Sequence, residues 1–170
     1  MGSPLELPGH APPETTHADD KETHMEHPFN LERFVEAQDS GGTYQQALSE
    51  LQLGDKRGHW MWFVFPQVAG LGSSPTSRKY AISSLAEAQA YLEHDVLGPR
   101  LLECSTAIAA HTGRSAVDIL GRTDAMKLHS SMTLFLRAAP GETVFKTVLA
   151  RFFDGEPDAA TDELLAAARD

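Results

Sequence analysis

From residue 30 onward, apolar positions recur at intervals of three and four, the period of helices with one buried face. Asn30, able to cap the free amides of a helix start, precedes Leu31, Phe34 and Val35. Thr43 opens a second helix carrying Tyr44, Ala47, Leu48 and Leu51, and Gly54 can adopt the left-handed conformation that ends it. These two predict an antiparallel pair. Ser84 and Glu87 have the spacing of a capping box, ahead of a stripe of Leu85, Ala88, Tyr91 and Leu92. The next helix runs from about Gly98-Pro99 to Thr112, with Leu101, Cys104, Ala107, Ile108 and His111 on one face and Gly113 as its stop. Ser115 and Gly121 bracket a short helix. Thr123 is the expected cap of a longer one bearing Leu128, Ser131, Met132, Phe135 and Leu136, broken at Pro140-Gly141. Phe145, Val148, Leu149 and Phe152 mark a helix ending at Gly155, and Asp158 caps a last one with Leu164, Leu165 and Ala168.

One stretch breaks the periodicity. Trp60-Met61-Trp62-Phe63-Val64-Phe65 is apolar on every side and closed by Pro66, which disfavours helix at the residue before it. Such a run is expected to be buried. Its length fits a strand or a helical turn, and the proline tilts the expectation towards an extended or irregular core segment. Gly70, Gly72, Ser73 and Ser74 then predict a loop rich in free amides, with Ser74 capping a short helix that starts at Pro75. No alternating strand follows anywhere, so the pattern predicts a mainly α, compact multihelical array forming a single domain over 29–170.

Residues 1–28 change the picture. They hold Pro4, Pro8, Pro12, Pro13 and Pro28 with almost nothing apolar, and six acidic residues against Lys21. A disordered acidic tail is expected, because too little apolar surface is available to offset the entropy of ordering. His10, His17, His24 and His27 lie in it without the spacing of a structural metal site. The chain has 170 residues and a formal net charge of −10, of which the tail carries half. The domain therefore lacks the broad basic face that binds nucleic-acid backbones, and no nucleic-acid partner is expected. Cys104 is the single cysteine, which excludes an internal disulfide and suits a reducing, cytoplasmic setting. No basic-then-apolar leader or long apolar run points to secretion or a membrane. No metal or cofactor is implied either, since His-Glu-x-x-His, paired-cysteine, phosphate-loop and dinucleotide signatures are missing.

Two polar clusters could carry chemistry. In the first, His59 and Gln67 flank the aromatic block, so Trp60 or Trp62 would form an apolar wall beside two hydrogen-bonding side chains. The alternative leaves both tryptophans in the core and His59 on a buried carbonyl. In the second, Lys127, Ser130 and Ser131 share neighbouring faces of one helix, suited to activating a serine nucleophile or gripping an anion. The alternative is a surface lysine with serines bonded to backbone carbonyls. Arg100 occupies a first helical turn, where the macrodipole favours a carboxylate instead, and an anion there would explain it. Cys104, on the apolar stripe between Leu101 and Ile108, is expected in the core.

His59 through Gln67, Gly70-Leu71-Gly72-Ser73-Ser74, Ala90-Tyr91-Leu92, Leu97 through Leu101 and Lys127 through Phe135 together resemble the bacterial domain of unknown function 1810 family. The resemblance runs from about Phe29 to Leu165 and implies a small multihelical domain with no established activity. Members often carry a calpain-inhibitor label, which a folded domain without inhibitory repeats does not suit. The resemblance gives weight to the polar motif positions His59, Gln67, Ser74, Arg100, Lys127, Ser130 and Ser131, and leaves out His129 and the tail. The resulting expectation is a pocket for a small anionic, nucleotide-like ligand, with His59 as acid or base if chemistry occurs. The rival is a non-enzymatic interaction module whose aromatic block is structural and whose acidic tail recruits or repels an unidentified protein partner, and it predicts no deep polar pocket.

Overall fold

The helices form where local signals and one-sided burial agree. In a computed structural model of the chain, residues 28–169 are described, and apart from Pro28 the expected tail lies outside them. From Glu32 on, the elements are α1 (Glu32–Asp39), a 3-10 turn (Ser40–Gly42), α2 (Thr43–Leu53), α3 (Met61–Val64), α4 (Pro75–Lys79), α5 (Leu85–Glu93), α6 (Leu97–Ala109), α7 (Ala116–Leu120), α8 (Arg122–Ala138), α9 (Thr143–Phe153) and α10 (Ala159–Arg169). The mainly α expectation holds among these residues, whose only extended pairing is an isolated parallel bridge between Val68 and Ile82.

Most predicted caps are in place. Ser74 Oγ accepts from the Ser77 amide, Ser84 Oγ from the Glu87 amide, and Ser115 with Asp118 completes a reciprocal capping box. Asp158 Oδ2 takes the Thr161 amide and hydroxyl at the start of α10. Gly54, at φ 79°, closes α2.

Three expectations need correction. Glu87 does not return to Ser84; its carboxylate binds the Ser83 amide and hydroxyl, because it is buried against Arg33. Gly121, not Thr123, precedes α8, at φ 90°, which places Arg122 as the first helical residue. The aromatic run is a helical turn rather than extended: the Val64 and Phe65 amides reach the carbonyls of Trp60 and Met61 at 3.1 and 3.0 Å. Pro66 does exclude helix at Phe65, but one turn fits ahead of it. That turn buries Trp60, Met61, Val64 and Phe65 and leaves Trp62 and Phe63 partly exposed.

The array is built around α8, which packs against α5, α7, α9 and α10, while α6 packs against α2, α5 and α9. Every residue of α8 from Ser130 to Phe135 is buried, so the helix is enclosed on all sides rather than along one stripe. Small polar side chains are tolerated there by bonding inward: Ser130 donates to the Lys127 carbonyl and Thr133 to that of His129. No helix among the described residues is long and apolar enough to cross a membrane.

Candidate functional site

The strap from Gln67 to Ile82 lies over the start of α8. Its path is pinned by two backbone bonds, Ala69 N to Ile82 O and Ile82 N to Gln67 O, each 2.8 Å. Gln67 is thereby held where its Nε2 donates to Ser130 Oγ at 2.6 Å, joining the two polar clusters across 63 residues. A cleft of about 350 Å³ opens beside this bond, bordered by Gln67, Gly72, Ser77, Lys127 and Ser130. A second cleft of about 210 Å³ shares Gln67, Gly72 and Ser77 and adds Trp62, Arg78 and Tyr80. Gly72 is needed at this junction, since a Cβ there would stand 2.5 Å from Ser77 Oγ.

Lys127 is the main charge of the site. Its ammonium lies 4.5 Å over the Trp62 ring and 3.6 Å from Asp124 Oδ1, and makes no hydrogen bond among the described residues. Asp124 is already engaged at 2.8 Å by Lys56, which is more deeply buried than Lys127. One carboxylate thus serves two ammonium groups, and a positive excess remains at Lys127. Asp158 also borders the first cleft, but its charge is directed at the start of α10, where it is favoured by the helix dipole.

The other nominated residues lie elsewhere. Trp60 has no exposed surface; its Nε1 donates to Glu50 at 2.8 Å, so it belongs to the core and not to a ligand wall. His59 is exposed, makes no polar contact among the described residues and borders neither cleft. Ser74 is spent on capping α4. Arg100 has its anion within the chain: it pairs with Asp39 at 2.9 Å, donates to Gln38 at 3.1 Å and sits over the Tyr44 ring. Those partners tie α6 to α1 and α2, and the idea of a bound anion at Arg100 gives way to them. Ser131 Oγ is buried with no hydrogen-bond partner among the described residues, inside the enclosed part of α8.

Sequence reasoning missed Asp124, Ser77, Asp158 and His129. Asp124 could have been found from its spacing of three residues to Lys127 in a first helical turn. His129, which the family resemblance leaves out, borders the first cleft, stacked on Phe153 at 4.2 Å with its Nε2 held by the Glu156 carbonyl. Nothing local marks that stack, because Phe153 arrives from α9.

Cys104 lies in the core as expected. Burial pushes its thiol up to about 12, only partly offset by a hydrogen bond with Tyr44. The native thiol should resist alkylation at about pH 8 and react only once the protein is denatured, because the thiolate is the nucleophile. Stoichiometric labelling of the folded protein would contradict this. Among the described residues no group of three or more His, Cys, Asp or Glu is placed to hold a metal ion.

Residues 28–165 match the family described as protein of unknown function DUF1810. The chain is also similar to a solved structure, the conserved hypothetical protein Rv1873 from Mycobacterium tuberculosis. The two are 54% identical with a TM-score of 0.79, over 82% of this chain and 99% of that one. No curated protein matches the chain.

Proposed function

We propose that this chain, which belongs to the DUF1810 family, binds a small anionic ligand in the cleft between the Gln67–Ile82 strap and α8. The observation that carries this is the incompletely neutralised Lys127 ammonium, partly buried over Trp62 and facing a concave surface. Such a group gains a charge-assisted hydrogen bond from an anion that water only partly supplies. Gln67 adds orientation: one N–H goes to Ser130, and its carbonyl oxygen has no hydrogen bond among the described residues. Ser77, whose hydroxyl accepts from Ser74, offers a further polar edge. The arrangement supports binding; with His59 remote from both clefts, no acid or base for a reaction is assigned to it.

The test is thermal unfolding of the full chain against phosphate, sugar phosphates and nucleotides. A ligand at about a hundred times its Kd should stabilise by about 2.7 kcal/mol, a rise of several degrees. Lys127→Ala should reduce the affinity at least about tenfold while leaving the ligand-free Tm within a few degrees, since a partly exposed ion pair contributes about 1 kcal/mol or less. An equal response in the variant would sink the assignment. The rival reading, a protein-interaction module, draws on a different feature: a shallow, mostly apolar groove between α2 and α6, lined by exposed Pro99 and half-buried Leu48, Leu102 and Ala107. It gains if no small anion in the panel shifts the transition.

A further inference from the structure

Trp62 and Gln67 tie the two clefts into one bipartite site. The indole that carries the Lys127 ammonium on its ring also walls the second cleft, and Gln67, Gly72 and Ser77 border both. Taken singly, the clefts, at about 210 and 350 Å³, lie at or below the lower end of ligand pockets, which run from roughly 300 to 1,000 Å³. Side by side against Gln67, Gly72 and Ser77, they suit a molecule with two chemically different parts. The first half presents a cation. The second presents aromatic surface from Trp62 and Tyr80, the latter set by packing on Phe63 at 5.3 Å. Between them stands the Gln67 carboxamide, with an acceptor and one N–H left for the edge of a ring. Arg78 does not add a second anion grip, because its guanidinium is folded onto the Ser73 carbonyl of the same strap, with Nε at 2.9 Å.

We infer that the ligand is a phosphorylated heterocycle of mononucleotide type, its phosphate beside Lys127 and its base against Trp62 and Tyr80. This rests on the anion site proposed above and narrows it. The division of labour assigns different losses to different residues. Removing the charge should weaken everything that carries a phosphate. Removing the indole should weaken only what carries a base, because base stacking on an aromatic side chain does not depend on the phosphate.

The experiment titrates the full chain with the four common ribonucleoside monophosphates, with ribose phosphate lacking a base, and with the corresponding nucleosides. Binding is followed by thermal shift and by tryptophan emission. At least one monophosphate should bind about tenfold or more tighter than ribose phosphate and quench the emission of partly exposed Trp62, whereas Trp60 is enclosed. Trp62→Leu should erase that advantage and leave ribose phosphate binding within about twofold; Trp62→Phe should keep most of it and guards against loss through misfolding. Ribose phosphate binding as tightly as every monophosphate, in a Lys127-dependent way, would overturn the base half and leave the anion site standing. Nucleosides binding as well as their monophosphates, untouched by Lys127→Ala, would overturn both.

Discussion

Replacing Glu50 with alanine should destabilise the fold by about 3 kcal/mol and lower the urea midpoint by roughly 1.5 M. Glu50 is almost fully buried, and one of its oxygens accepts from Trp60 Nε1 at 2.8 Å, the Arg57 amide at 2.9 Å and the Gly58 amide at 3.0 Å. The other accepts from Gln46. Alanine would leave the buried Trp60 indole N–H unpaired, at about 1–3 kcal/mol, and take the acceptor from the half-buried Arg57 and Gly58 amides as well. A loss below about 1 kcal/mol would mean that the 55–60 segment rearranges to find other partners.

The same carboxylate sets an acid dependence. Burial alone would raise its pKa, but the amides of Gly58 and Arg57, with Gln46 and Trp60, pull it down to about 2. A folded-state pKa below the unfolded one contributes stability that is complete above the ordinary carboxylate range and is lost as pH falls towards 2. Glu50→Gln keeps an acceptor for Trp60 and the two amides, so it should be milder than alanine near neutral pH. It should also lack this part of the acid slope. Parallel wild-type and variant stability curves between about pH 5 and 2 would count against Glu50 as the titrating group.

Arg33→Ala should cost about 3 kcal/mol or more. Its guanidinium donates to the carbonyls of Lys79 and Ala81 at 2.7 and 2.8 Å and pairs with Glu87 at 3.0 Å, whose side chain is only 3% exposed. Alanine at 33 strands a buried carboxylate, so the double variant Arg33→Ala, Glu87→Gln should recover part of the loss, by about 1 kcal/mol or more. A double variant no more stable than Arg33→Ala would show that the carbonyl contacts, not the charge, matter. Because Tyr80 and Ala81 wall the second cleft, Arg33→Ala should also weaken base binding while sparing ribose phosphate. The exposed pair Arg137–Asp162 offers a control: Asp162→Asn should change stability by about 1 kcal/mol or less, despite bonds of 2.9 Å.

What could be read from the chain was local in its physics. Ser74, Ser84, Ser115 and Asp158 each bond an amide three residues on, and Gly54 supplies its own backbone angle, so residue type and spacing suffice. The stripes Leu101–Cys104–Ile108 and Phe145–Val148–Leu149 are buried for the same reason, since helical geometry alone puts them on one face.

Local rules failed where neighbours in space were distant in sequence. Trp60 and Trp62 have the same side chain two residues apart, yet a single helical turn sends one to Glu50 in the core and the other under Lys127 at the cleft. Arg100 looked like an anion site because its carboxylate, Asp39, lies in another helix. Gln67 and Ser130 could be nominated separately, but not as a bonded pair. The sequence by itself determined the longer helices, most of their caps and their apolar faces, since those follow from interactions within a turn or two. Only the tertiary structure decided which polar groups neutralise one another and which, like Lys127, keep charge to spare, because that balance depends on packing between helices.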